Sequence, residues 1–453
     1  MSPDLNRPSL LQALVSRLDR PITTADRRRA ARHLLDWLAC RAAATRLPEA
    51  GRFNQALGDG PVAMTAAPAA LDEARPQLAA VLMDGALGSL LEMDDVHRAA
   101  VLHPGPVVIP AALAAARGSG ADVTRLLNAI ICGYEVMIRI GRAVGLEHYR
   151  HWHPTSTCGA FGAAAAAAVV LGLDAERAVW ALGNAGSRTG GLWQMRHEAV
   201  PTKALHTALT AQSGWLAARL AAEGFAGPAS LLEGEQGFFA ATAAQADPNA
   251  LLGAEDAWLI HQVSFKPWPA CRHAHPAIDA LLAVEELPEA DSVERITVHT
   301  YAAAIDFCDQ PEPGTPGEAR FSIQHALASI LTRGRPRLAH YSADALPVAA
   351  TRALRRRIML HVDSDFNQAF PDHFGARVEV ALADGRRLSA GVRDAWGDPE
   401  RPLTDADLAT KVHDLLQFAG VSGEQSSRMV EYSLALAEQG SAAAIPALQQ
   451  AWT

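Results

Sequence analysis

The longest apolar run in the chain, Cys158 to Leu173 (CGAFGAAAAAAVVLGL), constrains the fold more than any other feature. It has alanine, the strongest helix former, as its commonest residue. It is short for a bilayer, which takes about 20 apolar residues in helical form, and Gly159, Gly162 and Gly172 interrupt it. A buried core helix is expected here rather than a membrane span. Aromatic residues make up only 6% of the chain. The core is therefore expected to be built from closely packed helices with small side chains.

At 453 residues the chain exceeds what one simple core organises, and two domains are expected. Apolar residues make up 49% and charged residues 20%, the balance of a globular protein. The formal net charge is −9 and no basic stripe runs along the chain, which argues against nucleic acid as a partner. The densest basic stretch, Arg27-Arg28-Arg29 with Arg32, reads as the solvated face of a helix. The five cysteines, Cys40, Cys132, Cys158, Cys271 and Cys308, include no CxxC pair. That disfavours a disulfide framework, a zinc knuckle and an iron–sulfur cluster. The N-terminal segment carries charges through its apolar stretch, unlike a signal peptide. The expectation is a cytoplasmic protein with no membrane partner.

Helical periodicity covers residues 9–20, 25–45 and 76–92, with Thr24 as an N-cap lacking a capping-box acid. VVIPAALAAARG reads as a helix with Pro110 in its first turn and Gly118 at its close. A long helix over 121–145 is interrupted at Gly133 and Gly141, and 155–171, 174–187 and 203–223 complete the series. After residue 262 the pattern changes. SVERITVHTYAAA alternates like a strand, and ARVEVALADGRRLSAGV reads as a hairpin turning at Asp384-Gly385. Helices are expected at 319–332 and 405–418. The fold class is mainly α: a large all-helical domain over 1–262 plus a smaller α+β domain over 263–419. A final helix over 424–450 places 420–453 with the first domain.

Polar residues break the alanine-rich pattern in four patches. LLEMDDVHRAAVLHPGPVVIP carries Glu92, Asp94, Asp95, His97 and His103. EHYRHWHPTSTCGAFG carries His148, Tyr149, His151 and His153. EAVPTKALHTAL places Lys203 and His206 three apart, on one helical face. SFKPWPACRHAHPAIDA carries Lys266, Cys271, Arg272, His273 and His275. Each residue also has a plain structural reading: a satisfied core histidine, Asp94-Asp95 capping a turn, His-Pro as turn punctuation, Lys266 on the surface beside its prolines. Four patches on Pro/Gly-bounded turns argue together for a site, because such turns set side chains at helix mouths.

A pocket of this composition suits removal of a proton beside a carboxylate. That reaction needs a positioned base and fixed cations aimed at the developing enolate. Lys203, Lys266 and Arg272 are the candidate cations, and a histidine or tyrosine the proton donor. The HxH pairs His151/His153 and His273/His275 leave a metal-dependent hydrolase or lyase as an alternative. No HExxH, HxxEH, GxxxxGK[ST] or GxSxG occurs, nor GxGxxG after a strand. A non-catalytic helical binding protein is the remaining alternative.

The runs LLEMDDVHRAAVLHPGPVVIPAALAAA, GYEVMIRIGRAVG, HYRHWHPTSTCGAFGAAAAAA, KALHTALTAQSG, LLEGEQGF, KPWPACRHAH and ARFSIQHALA, in that order, resemble the MmgE/PrpD family. That family includes 2-methylcitrate dehydratase, cis-aconitate decarboxylase and iminodisuccinate epimerase. The resemblance implies a homodimer acting on a small carboxylic acid without metal or organic cofactor. Carried over by motif, it implies the acid pair Asp94/Asp95, His103, His153, Tyr149, Lys203 and Lys266 as site residues. Lys266, Tyr149, His153, Asp94 and His103 are expected to be catalytic, and Asp95, His97, Lys203, Arg272 and His275 to bind substrate. Family members commonly carry Thr or Ser where this chain has Val96, and the decarboxylase has a histidine at the position of Cys271. Trp268-Pro269-Ala270-Cys271 is close to the epimerase's version. The broad expectation is a 2-methylcitrate dehydratase-like lyase, with an epimerase as the alternative. Lys266 is expected to act as base, freed by a neighbouring cation, with Arg272 and His273 close behind it, or to stay charged and anchor a carboxylate or stabilise the enolate. Being at an exposed site, it should matter little for stability.

Overall fold

The alanine run folds as a helix whose whole circumference is covered. A computed structural model describes residues 8–57, 65–72, 76–198, 200–243, 245–440 and 445–452. The chain divides into two compact units, the first formed by Met1–Leu90, Ala100–Val263 and Leu415–Thr453, the second by Leu91–Ala99 and Ser264–Asp414. Residues 91–99 thus belong to the second unit, although helical segments of the first flank them in the sequence.

In the first unit the principal helices are α1 (Thr24–Ala44), α2 (Gln77–Leu87), α3 (Gly105–Ala116), α4 (Val123–Tyr149), α5 (Gly159–Leu171), α6 (Ala175–Gly186) and α7 (Thr202–Ala222). Helix α5 is apolar on every side and packs on α3, α4, α6 and α7, as a helix without a polar face must. Pro154–Leu171 is long and apolar enough to cross a membrane, yet 89% of it is buried inside the protein. The helix ends where Gly172 turns left-handed at φ +69°. There the N–H of Leu173 reaches the carbonyl of Ala168 at 3.0 Å, closing a Schellman motif.

Several expected boundaries move for local reasons. Thr23, not Thr24, caps α1, and Asp26 returns a bond to the Thr23 N–H at 2.7 Å, so a full capping box is present. Helix α3 begins at Gly105, and Pro110 lies inside it rather than in its first turn. Its missing N–H would have faced the carbonyl of Pro106. Helix α4 runs unbroken through Gly133 and Gly141, and its irregularity falls at Gly145 (φ +66°). Gly133 is needed for close approach: a Cβ there would lie 2.8 Å from the carbonyl oxygen of Gly162 and 2.5 Å from Val108 Cγ1. The C-terminal segment is not one helix. It forms Gly423–Leu434, Leu436–Gln439 and Ile445–Trp452. Residues 441–444 of the expected final helix, and residues 1–7, lie outside the described residues.

In the second unit a four-stranded sheet is covered on one face by α8 (His275–Leu282) and α9 (Ile323–Arg333). The strands are β1 (Val293–Thr300), β2 (Ile358–Val362), β3 (Ala376–Leu382) and β4 (Arg387–Val392), in the order β2-β1-β3-β4. The hairpin β3–β4 turns through Gly385 at φ +87°, as the Asp-Gly pair predicts. Val298 pairs with Val378 and Ile296 with Val380 on the buried face. Strand β2, parallel to β1, was not legible in RRRIMLHVDS. It is a short edge strand, with Met359, His361 and Val362 all exposed, and it lacks the alternation of a half-buried strand.

The α4–α5 crossing gives a test. A Cβ on Gly162 would sit 2.7 Å from Met137 Cβ and 2.8 Å from the Gly133 carbonyl oxygen. Gly162→Val should destabilise the protein by about 1–3 kcal/mol or more, the range of overpacked cores, read as a lower urea midpoint. An unchanged midpoint would show that this crossing is not close-packed.

Candidate active site

In the second unit the acidic turn of residues 92–95 meets Lys266. The Lys266 ammonium is fully buried and donates to the Glu92 carbonyl oxygen at 3.0 Å and to Asp94 Oδ1 at 3.5 Å. Glu92 Oε2 lies 3.6 Å away. Glu92 itself sits at φ +55°, a left-handed conformation that non-glycine residues seldom adopt. The adjoining Met93 carbonyl accepts from the buried Lys411 at 2.7 Å. Two lysines therefore hold the turn through consecutive backbone carbonyls and flanking carboxylates. Asp95 and His97 are buried in the same segment. Sequence reasoning missed Lys411, which stands in an ordinary amphipathic helix with no proline or glycine beside it to mark a turn.

The Pro267–Pro269 stretch leads from Lys266 into a second cluster. Arg272 is ion-paired to Asp398 and directs Nη1 at His275 Nδ1, 3.4 Å away. His275 Nε2 donates to the Ala270 carbonyl at 3.1 Å, which leaves Nδ1 as the acceptor. Burial, then the charges of Arg272 and Lys266, holds the His275 pKa well below the usual imidazole value. His275 is thus a neutral imidazole of fixed tautomer. His273 lies 2.8 Å from the Tyr301 hydroxyl and stacks against Phe307 and Phe374, which makes it part of an aromatic core. The Cys271 thiol is held below its ordinary pKa, chiefly by a hydrogen bond from the Cys308 thiol. Burial raises Cys308 well above its own.

Arg98 ties the acidic segment to the residues around Asp398. It reaches Asp394 at 2.9 Å, Asp398 at 3.2 Å and Glu400 at 2.7 Å. Among the described residues, His373, Asp394 and Glu400 bring ligand-type atoms within 4.8 Å of one another. The Arg98 guanidinium already bonds both of those carboxylates.

In the first unit the residues of the second and third patches meet. His153 is buried, and its backbone N–H donates to the Gly191 carbonyl at 2.9 Å. Its ring lies 4.5 Å from that of Trp193, and Tyr149 meets the same indole edge-on at 5.5 Å. His153 Nδ1 is 3.2 Å from His206 Nδ1. Ser156, three residues on, is 2.9 Å from Thr210 of α7, hydroxyl to hydroxyl. The backbone N–H of His103 donates to Thr155 Oγ1 at 3.1 Å. Lys203, half-buried, lies one turn before His206. His148 is a structural residue. Its ring nitrogens engage the Thr242 carbonyl at 2.9 Å and Thr157 Oγ1 at 2.7 Å, and burial lowers its pKa.

Buried acids, a buried lysine and a pair of facing histidines are the equipment of proton-transfer chemistry. Residues 18–251 match the MmgE/PrpD N-terminal domain and residues 268–435 the MmgE/PrpD C-terminal domain. The chain belongs to the MmgE/PrpD family. It is 28% identical over 362 residues to the cis-aconitate decarboxylase of Mus musculus, covering 74% of this chain and 71% of the relative. It is 29% identical over 355 residues to that of Homo sapiens, covering 74% and 72%. A cis-aconitate decarboxylase-like protein, oryM, of Aspergillus oryzae is 28% identical over 448 residues, covering 91% and 90%.

The burial of Lys266 overturns its expected placement at an exposed site. Removing the ammonium leaves the Glu92 and Asp94 carboxylates together without its charge. Breaking one side of a buried ion pair costs about 3–5 kcal/mol, so Lys266→Ala should lower the urea midpoint clearly. A loss of only about 0.5 kcal/mol, the scale of surface changes, would contradict the ion-pair geometry.

Proposed function

We propose that this MmgE/PrpD enzyme is a lyase that makes or discharges a carbanion beside a carboxylate of a small di- or tricarboxylic acid, using side chains alone. The observation that carries the reading is the buried ammonium of Lys266 against Asp94 and Glu92. A fixed cation in a dry site stabilises a developing enolate far more than it would in water. Asp94, 3.5 Å from that ammonium, is the adjacent acid–base group; within the first unit His153 is the candidate acid–base group.

Within this chemistry we favour dehydration of a 2-methylcitrate-like hydroxy acid. On the resemblance read from the sequence, Cys271 stands where the decarboxylase carries a histidine. The names of the similar proteins favour a second reading, decarboxylation of cis-aconitate. Both are carbanion reactions at a carbon flanked by carboxylates, and they differ in whether hydroxide or carbon dioxide departs. The Trp268-Pro269-Ala270-Cys271 run keeps epimerisation of an iminodisuccinate-like acid as the alternative. We also propose a cytoplasmic homodimer, whose assembly sedimentation would read.

The deciding measurement is proton NMR in D₂O with 2-methylcitrate, cis-aconitate and iminodisuccinate supplied separately. Conversion or deuterium uptake is expected with at least one of them. Lys266→Ala should slow it by about a hundredfold or more, the scale of acid–base groups. Absence of both conversion and exchange with all three acids would overturn the reading.

A separate measurement addresses the charge supply. Turnover should survive exhaustive treatment with EDTA, because Lys266 supplies the cation. Loss on chelation with rescue by one divalent ion would replace this reading with metal-assisted chemistry.

A further inference from the structure

His153 has a partner that none of the expected catalytic or binding roles included. Its Nδ1 lies 3.2 Å from Nδ1 of His206, with ring centroids 5.4 Å apart. Two facing Nδ1 atoms at that distance have room for one proton between them. One ring donates and the other accepts, so the tautomers of the two histidines are locked in opposition.

The surroundings are built around this contact. His153 is held from behind by the bond from its N–H to the Gly191 carbonyl, 2.9 Å long, and is covered by Trp193. Gly191 has φ +119°, and a Cβ there would lie 2.8 Å from Ser156 Cβ and 3.3 Å from His206 Nδ1. Only glycine leaves room for the pair. The bond between Ser156 and Thr210 joins the His153 turn to α7, the helix that carries His206. The two rings differ in their access to water. His153 is 1% exposed, whereas His206 is half-buried. Lys203, one turn away on α7, is the charged neighbour on that helix.

We propose that His206 and His153 form a proton relay, with His206 as its solvent-side member. At rest His206 carries its proton on Nδ1, and His153 carries its own on Nε2. His153 gives the Nε2 proton to the reacting acid. As it does so, its Nδ1 takes the Nδ1 proton of His206, and His206 Nε2 takes one from water. Each N–H bond broken is matched by one formed, and neither ring is left charged. The pair then stands in the opposite tautomer, with His153 Nε2 able to accept, and the reverse passage resets it. Burial lowers the His206 pKa, which keeps that ring neutral near pH 7, as the passage requires. The identity of the final acceptor rests on the function proposed above; the passage between the rings does not.

Two variants and two readouts test this. Asparagine places an amide N–H where His206 carries Nδ1–H, so His206→Asn keeps the hydrogen bond and cannot pass a proton on. His206→Ala removes both. In protein labelled with [15N]histidine, NMR should show His153 protonated at Nε2 in the wild type and in His206→Asn. Exchange of that proton with water should slow at least about tenfold in the variant. With whichever of the three acids is turned over, kcat should fall at least about tenfold in both variants, below the general acid–base range because a slower direct route remains. KM should hold in His206→Asn, and added imidazole should restore His206→Ala. Wild-type exchange in His206→Asn, or resting protonation of His153 at Nδ1, would overturn the relay. So would loss of turnover without imidazole rescue in variants with unchanged melting transitions. If none of the acids is turned over, the functional reading fails and the exchange rates alone decide the relay.

Discussion

Close approach of helix backbones is the constraint on which the first unit rests. Where α4 crosses α5, a side chain on Gly133 or Gly162 would collide with the other's carbonyl oxygen. Packing at that distance leaves no slack, so helix ends are placed as rigidly as helix centres. His153 sits at the end of a short turn leading into α5 through Pro154–Thr157, and His206 projects from α7, which packs on α5. The alanine run is therefore more than filler. Larger side chains there would overpack the contact between α5 and α7.

The second unit is organised by charge. Lys266, Lys411, Arg98 and Arg272 are all buried, and so are Asp94, Asp95, Asp394 and Asp398. Burying so many ions costs several kcal/mol each before pairing, and a hydrophobic replacement would serve stability as well. What the ions add is position. Asp398 accepts from Ser264 at 2.5 Å and from the Ala395 N–H at 3.0 Å while pairing with Arg98 and Arg272. Each charge thereby has a fixed direction, which a mobile surface pair would lack. The positive φ of Glu92 fits the same pattern, since strain of that kind persists where surrounding contacts over-determine it.

Much of this was legible in the chain. The helical series, the β1 strand and the Asp-Gly hairpin follow from periodicity and turn chemistry, which are local properties. Misplaced boundaries came from features that local rules rank wrongly. Gly133 and Gly141 looked like breaks because glycine disfavours helix, yet neighbouring helices demanded the first and the turn at Ala100–Leu102 the second. Thr23 and Thr24 are equivalent as caps until Asp26 chooses between them. Strand β2 carries no alternation to read.

For the site, sequence alone determined which residue types gather in which runs: the Asp pair before His-Pro-Gly, the His-Pro-Thr turn, Lys203 and His206 one turn apart, Lys266 between prolines. Covalent order dictates these groupings. Tertiary structure decided what each side chain faces. It buried Lys266, which composition had placed on the surface, and set it against Glu92 and Asp94, about 170 residues earlier in the chain. It set His206 against His153, 53 residues away. It recruited Lys411 and Asp398, which no motif marks. The reason is physical: hydrogen bonds and ion pairs act over about 3–4 Å, and only the folded chain brings residues this distant in sequence within that range.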